Sequence, residues 1–404
     1  MDRLAVNAVD IVGSAEGPFD VSYTTRDLLL YALGIGATEL RYLHEDNPGF
    51  CAFPTYPLVL PYKGTSSDVV HFPGRTLFLI PPALRHVVNP GAILHYDQSI
   101  DIFRPLHPGG AELESRSVVL GVYRKRGGVL LRTKTTLTSK HGDGTIAETT
   151  QGTFMRGLEI AGDVGPPLHP RPQPPTGAPD VVATVTVSPH QAFLYRLSGD
   201  YNAIHVDPDA AQKAGLDTPI IHGLCSLGIA ARQIVLHFCS GADDGSSSEG
   251  LLSLYCRFSR IVLPGDVLEV KMWGQAAQRA GSVCGSGGRG ASDGRLAGKT
   301  RDGASTNSAC SCSGDVRVEQ EEAAGGPAAA AAAAASRERV PAGFPQHEKQ
   351  QQPHTSPMCP PGPKEAIRFE VCSPRQGGAV VVADGRAVVR QGSKALDPRT
   401  RAKL

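Results

Sequence analysis

The chain has 404 residues, enough for two or three domains, and its 41% hydrophobic content suits ordinary cores. With 40 basic residues against 39 acidic ones the formal charge is +1, so no general field draws in nucleic acid or an anionic membrane, and an anionic ligand must meet a local basic patch. No run approaches the roughly 20 apolar residues of a membrane span, and Asp2 and Asp10 stand where a signal or transit peptide avoids acids, so a protein neither secreted nor membrane-embedded is expected.

Near the start, VSYTTRDLLLYALGIGATEL (21–40) predicts a helix capped by Thr24, with Asp27 as the return partner three residues on. In the stretch 162–180 prolines remove backbone donors and favour extended chain, which reads as an interdomain linker. After it, VSPHQAFLYRLSGDYNAIH (187–205) parallels the first segment: Ser188, Pro189 and Gln191 predict another capped helix start, and both segments run into L-Y-x-L. Superposing Leu30-Tyr31 on Leu194-Tyr195 sets Gly36 against Asp200, Thr38 against Asn202 and Arg41 against His205. Only the second copy keeps groups suited to proton transfer.

Between Tyr195 and Ala211 an acid, an amide and an imidazole stand together at a Gly-Asp break, a turn that presents polar groups. The same residue types also build turns with no chemistry, and Asp207-Pro208 is a plain helix start. The stretch 218–238, TPIIHGLCSLGIAARQIVLHF, predicts a long buried helix with Gly223 in its first turn. Unpaired N–H groups and the positive dipole end there suit a developing oxyanion, which makes the Gly223 N–H a candidate donor. Taken alone, His222 and Gly223 read better as a helix cap with a satisfied histidine.

Farther on, VLEVKMW (267–273) and AIRFEVCSPRQGGAVVVADGRAVV (366–389) predict strands, the latter a hairpin turning at Gly377-Gly378. Between them, 275–363 is rich in Gly, Ser, Ala and Gln and includes eight alanines at 328–335, the composition of a disordered insertion in a hairpin loop. Nine cysteines with no C-x-x-C pair read as reduced structural thiols. No Rossmann glycine fingerprint, Walker loop or zinc spacing occurs, so no cofactor and no metal are expected.

Three ordered motifs, GDYNAIH (199–205), HGLC (222–225) and CRFSRIVLPGD (256–266), together resemble the hydratase 2 group of MaoC-like, hot-dog-fold enoyl-CoA hydratases. The first half is similar to that family's degenerate first hot dog through YTTRDLLLYALGIGA and the segment from His95 to FRPLHPGG. The resemblance implies an α+β tandem double hot dog, each half an antiparallel sheet wrapped on a central helix, with chemistry confined to the second half. Its expected divisions are a first hot dog at 1–161, the linker at 162–180, a catalytic hot dog at 181–274 plus 364–396, the insertion at 275–363 and a tail at 397–404.

By that resemblance Asp200, His205, Asn202 and Gly223 carry catalysis, with the choice of base between Asp200 and His205 left open. Substrate contacts fall on His95, Lys125, Tyr201, Ala203, Ile204 and Phe258. Departures are Ala203, where the family usually has proline, and Tyr96, where it usually has glycine after the first-half histidine. Lys125 lies in Arg124-Lys125-Arg126, which suits CoA phosphates but also an ordinary solvated turn. The implied reaction is reversible hydration of trans-2-enoyl-CoA to (3R)-3-hydroxyacyl-CoA in fatty acid β-oxidation, by a homodimer. A thioesterase of the same fold and a non-catalytic acyl-CoA-binding protein are the rivals. The terminal Ala402-Lys403-Leu404 is a variant of the S-K-L peroxisomal signal, so import by its receptor is expected.

Overall fold

The computed structural model describes residues 4–73, 80–86, 88, 93–168, 173–239, 250–274 and 364–390; the expected insertion at 275–363 and the tail at 397–404 lie outside the described residues. The first half contains β1 (Leu4–Val6), β2 (Ala15–Tyr23), α1 (Thr25–Gly34), α2 (Leu40–Leu43), α3 (Leu60–Lys63), β3 (Ile93–Ile102), β4 (Ala111–Lys125), β5 (Gly128–Ser139), β6 (Thr145–Arg156) and β7 (Leu158–Ile160). The second contains β8 (Val181–Thr186), α4 (Gln191–Tyr195), α5 (Pro208–Lys213), α6 (Gly223–Phe238), β9 (Leu251–Phe258), β10 (Val267–Gly274), β11 (Lys364–Ser373) and β12 (Ala379–Arg390).

Ten strands form one antiparallel sheet in the order β2-β4-β5-β6-β3-β9-β12-β11-β10-β8, while β1 and β7 pair separately in parallel. Counted from the outer edge, each set of five has the same plan, so β2, β4, β5, β6 and β3 correspond to β8, β10, β11, β12 and β9. The two sets meet at a single ladder, β3 with β9, running from Asp97 opposite Arg257 to Asp101 opposite Ser253. This is the α+β double hot dog.

The helical layer differs between the halves. Apolar nearly all round, α6 is covered on both sides, as a fully enclosed helix must be. It packs so tightly on α1 that a Cβ at Gly228 would overlap the Ile35 side chain. The matching stretch of the first half carries Pro57 and Pro61, each of which removes a backbone donor and clashes with the preceding turn. Only a 3-10 turn, Tyr56–Leu58, and the single turn α3 form there.

At the start of α1 the Asp27 carboxylate accepts from the Thr24 N–H at 2.8 Å and from its hydroxyl at 3.1 Å. The expected start at Ser188 is not what forms in the second half. Ser188 Oγ accepts from the His190 N–H at 3.1 Å in a local turn, and α4 begins only at Gln191 with His190 as its N-cap. The hairpin β11–β12 turns through Gly377 and Gly378, both at positive φ. Strands β10 and β11, which flank 275–363, pair directly up to Gly274 opposite Ile367. Between the halves, the chain after β7 lies along the sheet: the Tyr123 hydroxyl donates to Pro166 O at 2.6 Å and Trp273 Nε1 to Gly177 O at 3.3 Å.

Candidate active site

A 3-10 turn, Arg196–Ser198, ends α4 and delivers the chain to Gly199 at φ +128, a conformation that favours glycine. Space gives a second reason for glycine, since a Cβ there would lie 2.8 Å from the backbone nitrogen and Cβ of Lys63. Lys63 is itself fixed: buried, it donates to Ser22 O at 2.8 Å and sits 3.3 Å from the Asp27 carboxylate. Thus α3 of the first half forms the floor under the turn that carries Asp200.

Beyond Gly199, the Asp200 carboxylate accepts from the Asn202 N–H at 3.3 Å, and Asn202 Oδ1 caps the 3-10 turn Ala203–His205 by accepting from Ile204 N–H at 3.4 Å. The turn places His205 inward. Its Nδ1 lies 2.9 Å from Ile220 O. A carbonyl only accepts, so Nδ1 carries the proton and the Nε2 lone pair is left for chemistry. By the same argument His222 donates from Nε2 to the backbone carbonyl of Asp200 at 3.1 Å. The two imidazoles stack, with ring centres 3.6 Å apart and planes 24° from parallel.

Burial decides the charges of the group. It pushes the Asp200 carboxyl up to about 7 against the lowering effect of the Asn202 N–H, and pulls His205 down to about 4 against its bond to Ile220 O. His222 is held well below the usual imidazole range by burial first and by its neighbour His205 second. At neutral pH the site therefore holds two neutral imidazoles and a carboxyl poised between its two forms, the condition that suits general acid–base work.

His222 is also the N-cap of α6 and makes no side-chain cap bond, so the first-turn N–H groups, that of Gly223 included, have no intrahelical acceptor. A Cβ at Gly223 would come within 3.3 Å of the Phe258 ring at the end of β9. The edge of that ring meets His95, from the start of β3, at 4.7 Å between centres. His95 Nε2 bonds Gln98 Oε1 at 3.1 Å, and burial holds its imidazole down at about 4. Both halves thus line the ground in front of the helix terminus.

Comparison with known proteins places this geometry. Residues 21–157 match the family model described as the MFE-2 hydratase 2 N-terminal domain, and residues 171–292 match the MaoC like domain. "Probable enoyl-CoA hydratase 2" of Dictyostelium discoideum is 30% identical over 276 residues, 67% of this chain and 88% of that protein. The chain belongs to the MaoC-like hydratase 2 family. "Peroxisomal multifunctional enzyme type 2" of Mus musculus is 31% identical over 66% of this chain, which spans 35% of that longer protein. The crystal structure of a MaoC-like dehydratase from Phytophthora capsici superposes with a TM-score of 0.68 at 31% identity, covering 97% of this chain and all of that one.

Within this MaoC-like fold the residues singled out in the sequence divide into groups. Asp200 and His205 come together with His222, and Gly223 with Phe258 and His95. Ala203 is exposed and Ile204 half-buried on the turn. Tyr201 lies under the Arg196 guanidinium, 4.8 Å from its ring centre, and lines a small cavity with Asp27 and Lys63. Lys125 ends β4 and lines a separate cavity of about 480 Å³ with Tyr96, Asp97, Arg132 and Arg257. That cavity is on the outer face of the sheet, since Cys256 and Phe258, on either side of Arg257, point to the core.

Ligand atoms of Asp200, His205 and His222 lie within 4.8 Å of one another, which raises the question of a metal. The stacking answers against it: lone pairs of two near-parallel rings run side by side, and an ion in the plane of one ring stands well out of the plane of the other. The sequence reading missed the bridging part of His222 and the floor built by Lys63. The helix start at His222-Gly223 was a signal for the first; nothing local marks the second.

Proposed function

We propose that this protein reversibly hydrates trans-2-enoyl-CoA to (3R)-3-hydroxyacyl-CoA, as a step of fatty acid β-oxidation. The observation that carries the reading is the proton inventory: a base-ready Nε2 on His205 beside a carboxyl pushed up to about 7 on Asp200, at the open terminus of α6. Similarity to proteins named enoyl-CoA hydratase 2 supports the substrate class.

The bond from Nδ1 to Ile220 also supports a division of roles. With that nitrogen committed as a donor, the neutral His205 ring can only take up a proton, at Nε2, so it is the base and Asp200 the acid. Water oxygen bonds to the β-carbon as its proton passes to His205. Charge displaced from the double bond builds on the thioester oxygen, which accepts from the Gly223 N–H, and Asp200 then delivers its proton to the α-carbon. Proton return from His205 to Asp200 through a second water resets the pair. Asn202 orients Asp200 through its N–H and caps the turn of His205.

His95, Phe258, Ala203, Ile204 and Tyr201 border the path of the acyl thioester, and Lys125, in its run of three basic residues, meets CoA phosphates. The working divisions are a first hot dog at 1–161 and a catalytic one at 181–274 with 364–396, joined by 162–180 and interrupted at 275–363. We assign the protein to the peroxisome through Ala402-Lys403-Leu404 and its import receptor, and to a homodimer. Incubation with crotonyl-CoA and chiral analysis of the product tests the reaction. (3R)-hydroxybutyryl-CoA supports it, whereas free CoA as the main product makes the protein a thioesterase and unchanged substrate makes it a binding protein.

A further inference from the structure

On the outer face of the seam between the two hot dogs, four charged side chains form a line across five adjacent strands, β5, β6, β3, β9 and β12. Arg132 of β5 donates to the Asp97 carboxylate of β3, directly opposite Arg257 of β9 in the register, and Arg257 Nε donates to Asp384 of β12 at 2.7 Å. All four are largely covered, the Asp97 side chain to 5% exposure and the others to between 16 and 20%. Charges held this far from water depend on their partners, and loss of one leaves another uncompensated.

Two backbone features serve this line. Gly152, on β6 between Arg132 and Asp97, is the place where they lie flat on the sheet, because a Cβ there would overlap the Asp97 carboxylate. Asp384 stands at φ +58, the one non-glycine among the described residues at positive φ, where the register of β12 on β9 breaks between Ala383 and Arg386. A side chain held in that region costs backbone strain, and here the break aims its carboxylate at Arg257.

The same strands carry the front of the site on their other face. Phe258 follows Arg257, and His95 precedes Asp97 across a break in the β3 register on β6. These are the two rings that meet edge to face before Gly223. We propose that the line Arg132–Asp97–Arg257–Asp384 is a positioning device that locks the first rung of the seam and so holds His95 and Phe258 in register against Gly223. The four residues line one outer cavity with Lys125, apart from Asp200, His205 and Gly223, and act on the site through those two rings. The inference rests on the hydratase reading for its assay.

The test is steady-state hydration of crotonyl-CoA by the full chain carrying Asp384→Asn, which keeps shape and tolerance of positive φ but drops the charge, and by Arg257→Gln and Arg257→Lys. Melting temperature and circular dichroism are recorded for each. Misplacement near a reacting centre is costly, so about a tenfold rise in KM is expected for Asp384→Asn and Arg257→Gln, with kcat within about threefold and the pH midpoints of kcat unmoved. Arg257→Lys, which keeps the charge, should recover most of that KM. A lower melting temperature with KM unchanged would make the line a structural staple and overturn the proposal, as would equal effects of Arg257→Gln and Arg257→Lys. Should wild type fail to hydrate crotonyl-CoA, the functional reading falls instead, a result distinct from either. Where Arg257→Gln does not fold, Asp384→Asn alone decides.

Discussion

His222 donates from Nε2 to the main-chain carbonyl of Asp200 at 3.1 Å while its ring stacks on that of His205 at 3.6 Å. One side chain therefore joins the turn that carries Asp200, the helix that presents Gly223 and the ring of His205. His222→Phe keeps the flat apolar body and removes the donor, leaving a buried carbonyl without its partner. A fall in kcat of about 10–100-fold is expected, with KM changed less and the circular dichroism spectrum kept. A wild-type kcat in a folded His222→Phe protein would reduce the residue to packing.

Burial separates the two proposed catalytic groups on the pH scale, with Asp200 at about 7 and His205 at about 4. Hydration needs Asp200 protonated and His205 neutral, so kcat should rise through about pH 4 and fall through about pH 7. Stability follows the same shift. Because the Asp200 value in the fold lies above that of a free carboxyl, its contribution is complete below the free value and is lost as pH rises through about 7. Asp200→Asn removes this loss. The variant should be inactive yet more stable than wild type by an amount that grows from about pH 4 and levels off above about 7, on the order of 1–4 kcal/mol. Melting curves across that range check it, and a difference independent of pH would mean that Asp200 does not titrate there.

What was legible in the sequence is what lies close together along it. Asp200, Asn202 and His205 fall within six residues, and Gly223 opens a helix whose apolar run announces burial. The ten-strand order was not legible, because register across the β3–β9 seam depends on residues more than a hundred positions apart, such as Asp97 and Arg257. The floor under Asp200 was hidden for the same reason: Lys63 reads as a solvated lysine until Gly199 is packed on its backbone. The helix start at Ser188 was misplaced because a serine oxygen satisfies a local turn as readily as a helix terminus.

Removal of residues 275–363 is expected to leave a folded, active protein. Strands β10 and β11 already pair up to Gly274 opposite Ile367, and 364–366 remain between them, so a bridge of two Gly and Ser residues gives a five-residue connection, within the length of an ordinary hairpin. The composition of the removed stretch offers little apolar surface to a core. The shortened protein is expected to melt cooperatively within a few degrees of the full chain and to keep kcat within about threefold. Aggregation or loss of the transition would make the stretch part of the fold.

The proposed peroxisomal address rests on three residues, Ala402-Lys403-Leu404, which lie outside the described residues. A fluorescent reporter ending in 397–404 should collect in peroxisomes and co-localise with a matrix marker. Replacing Leu404 with Asp should leave it diffuse. Diffuse signal from the unaltered tail would remove the assignment and leave the chemistry untouched.

The mechanism itself makes the sharpest demand. General acid–base catalysis by a positioned group is worth about 10²–10⁴-fold, so Asp200→Ala and His205→Ala should each lower kcat by that much in a folded protein, and the double variant little further, since the two act on one water and one double bond. Asn202→Ala should cost less, because it removes only the cap on the His205 turn and leaves the backbone N–H on Asp200. Their position beside one another, with backbone and ring joined through His222, also fixes the geometry of addition. Both groups work from one side of the bound alkene, so hydroxyl and proton arrive on the same face. Hydration of crotonyl-CoA in deuterium oxide should therefore give a product singly deuterated at the α-carbon, with the relative configuration of syn addition and R at the β-carbon. Anti addition would place acid and base on opposite faces of the substrate, which two groups whose reactive atoms lie within 4.8 Å of each other cannot do, and Asp200 and His205 would then have to be given up as the pair.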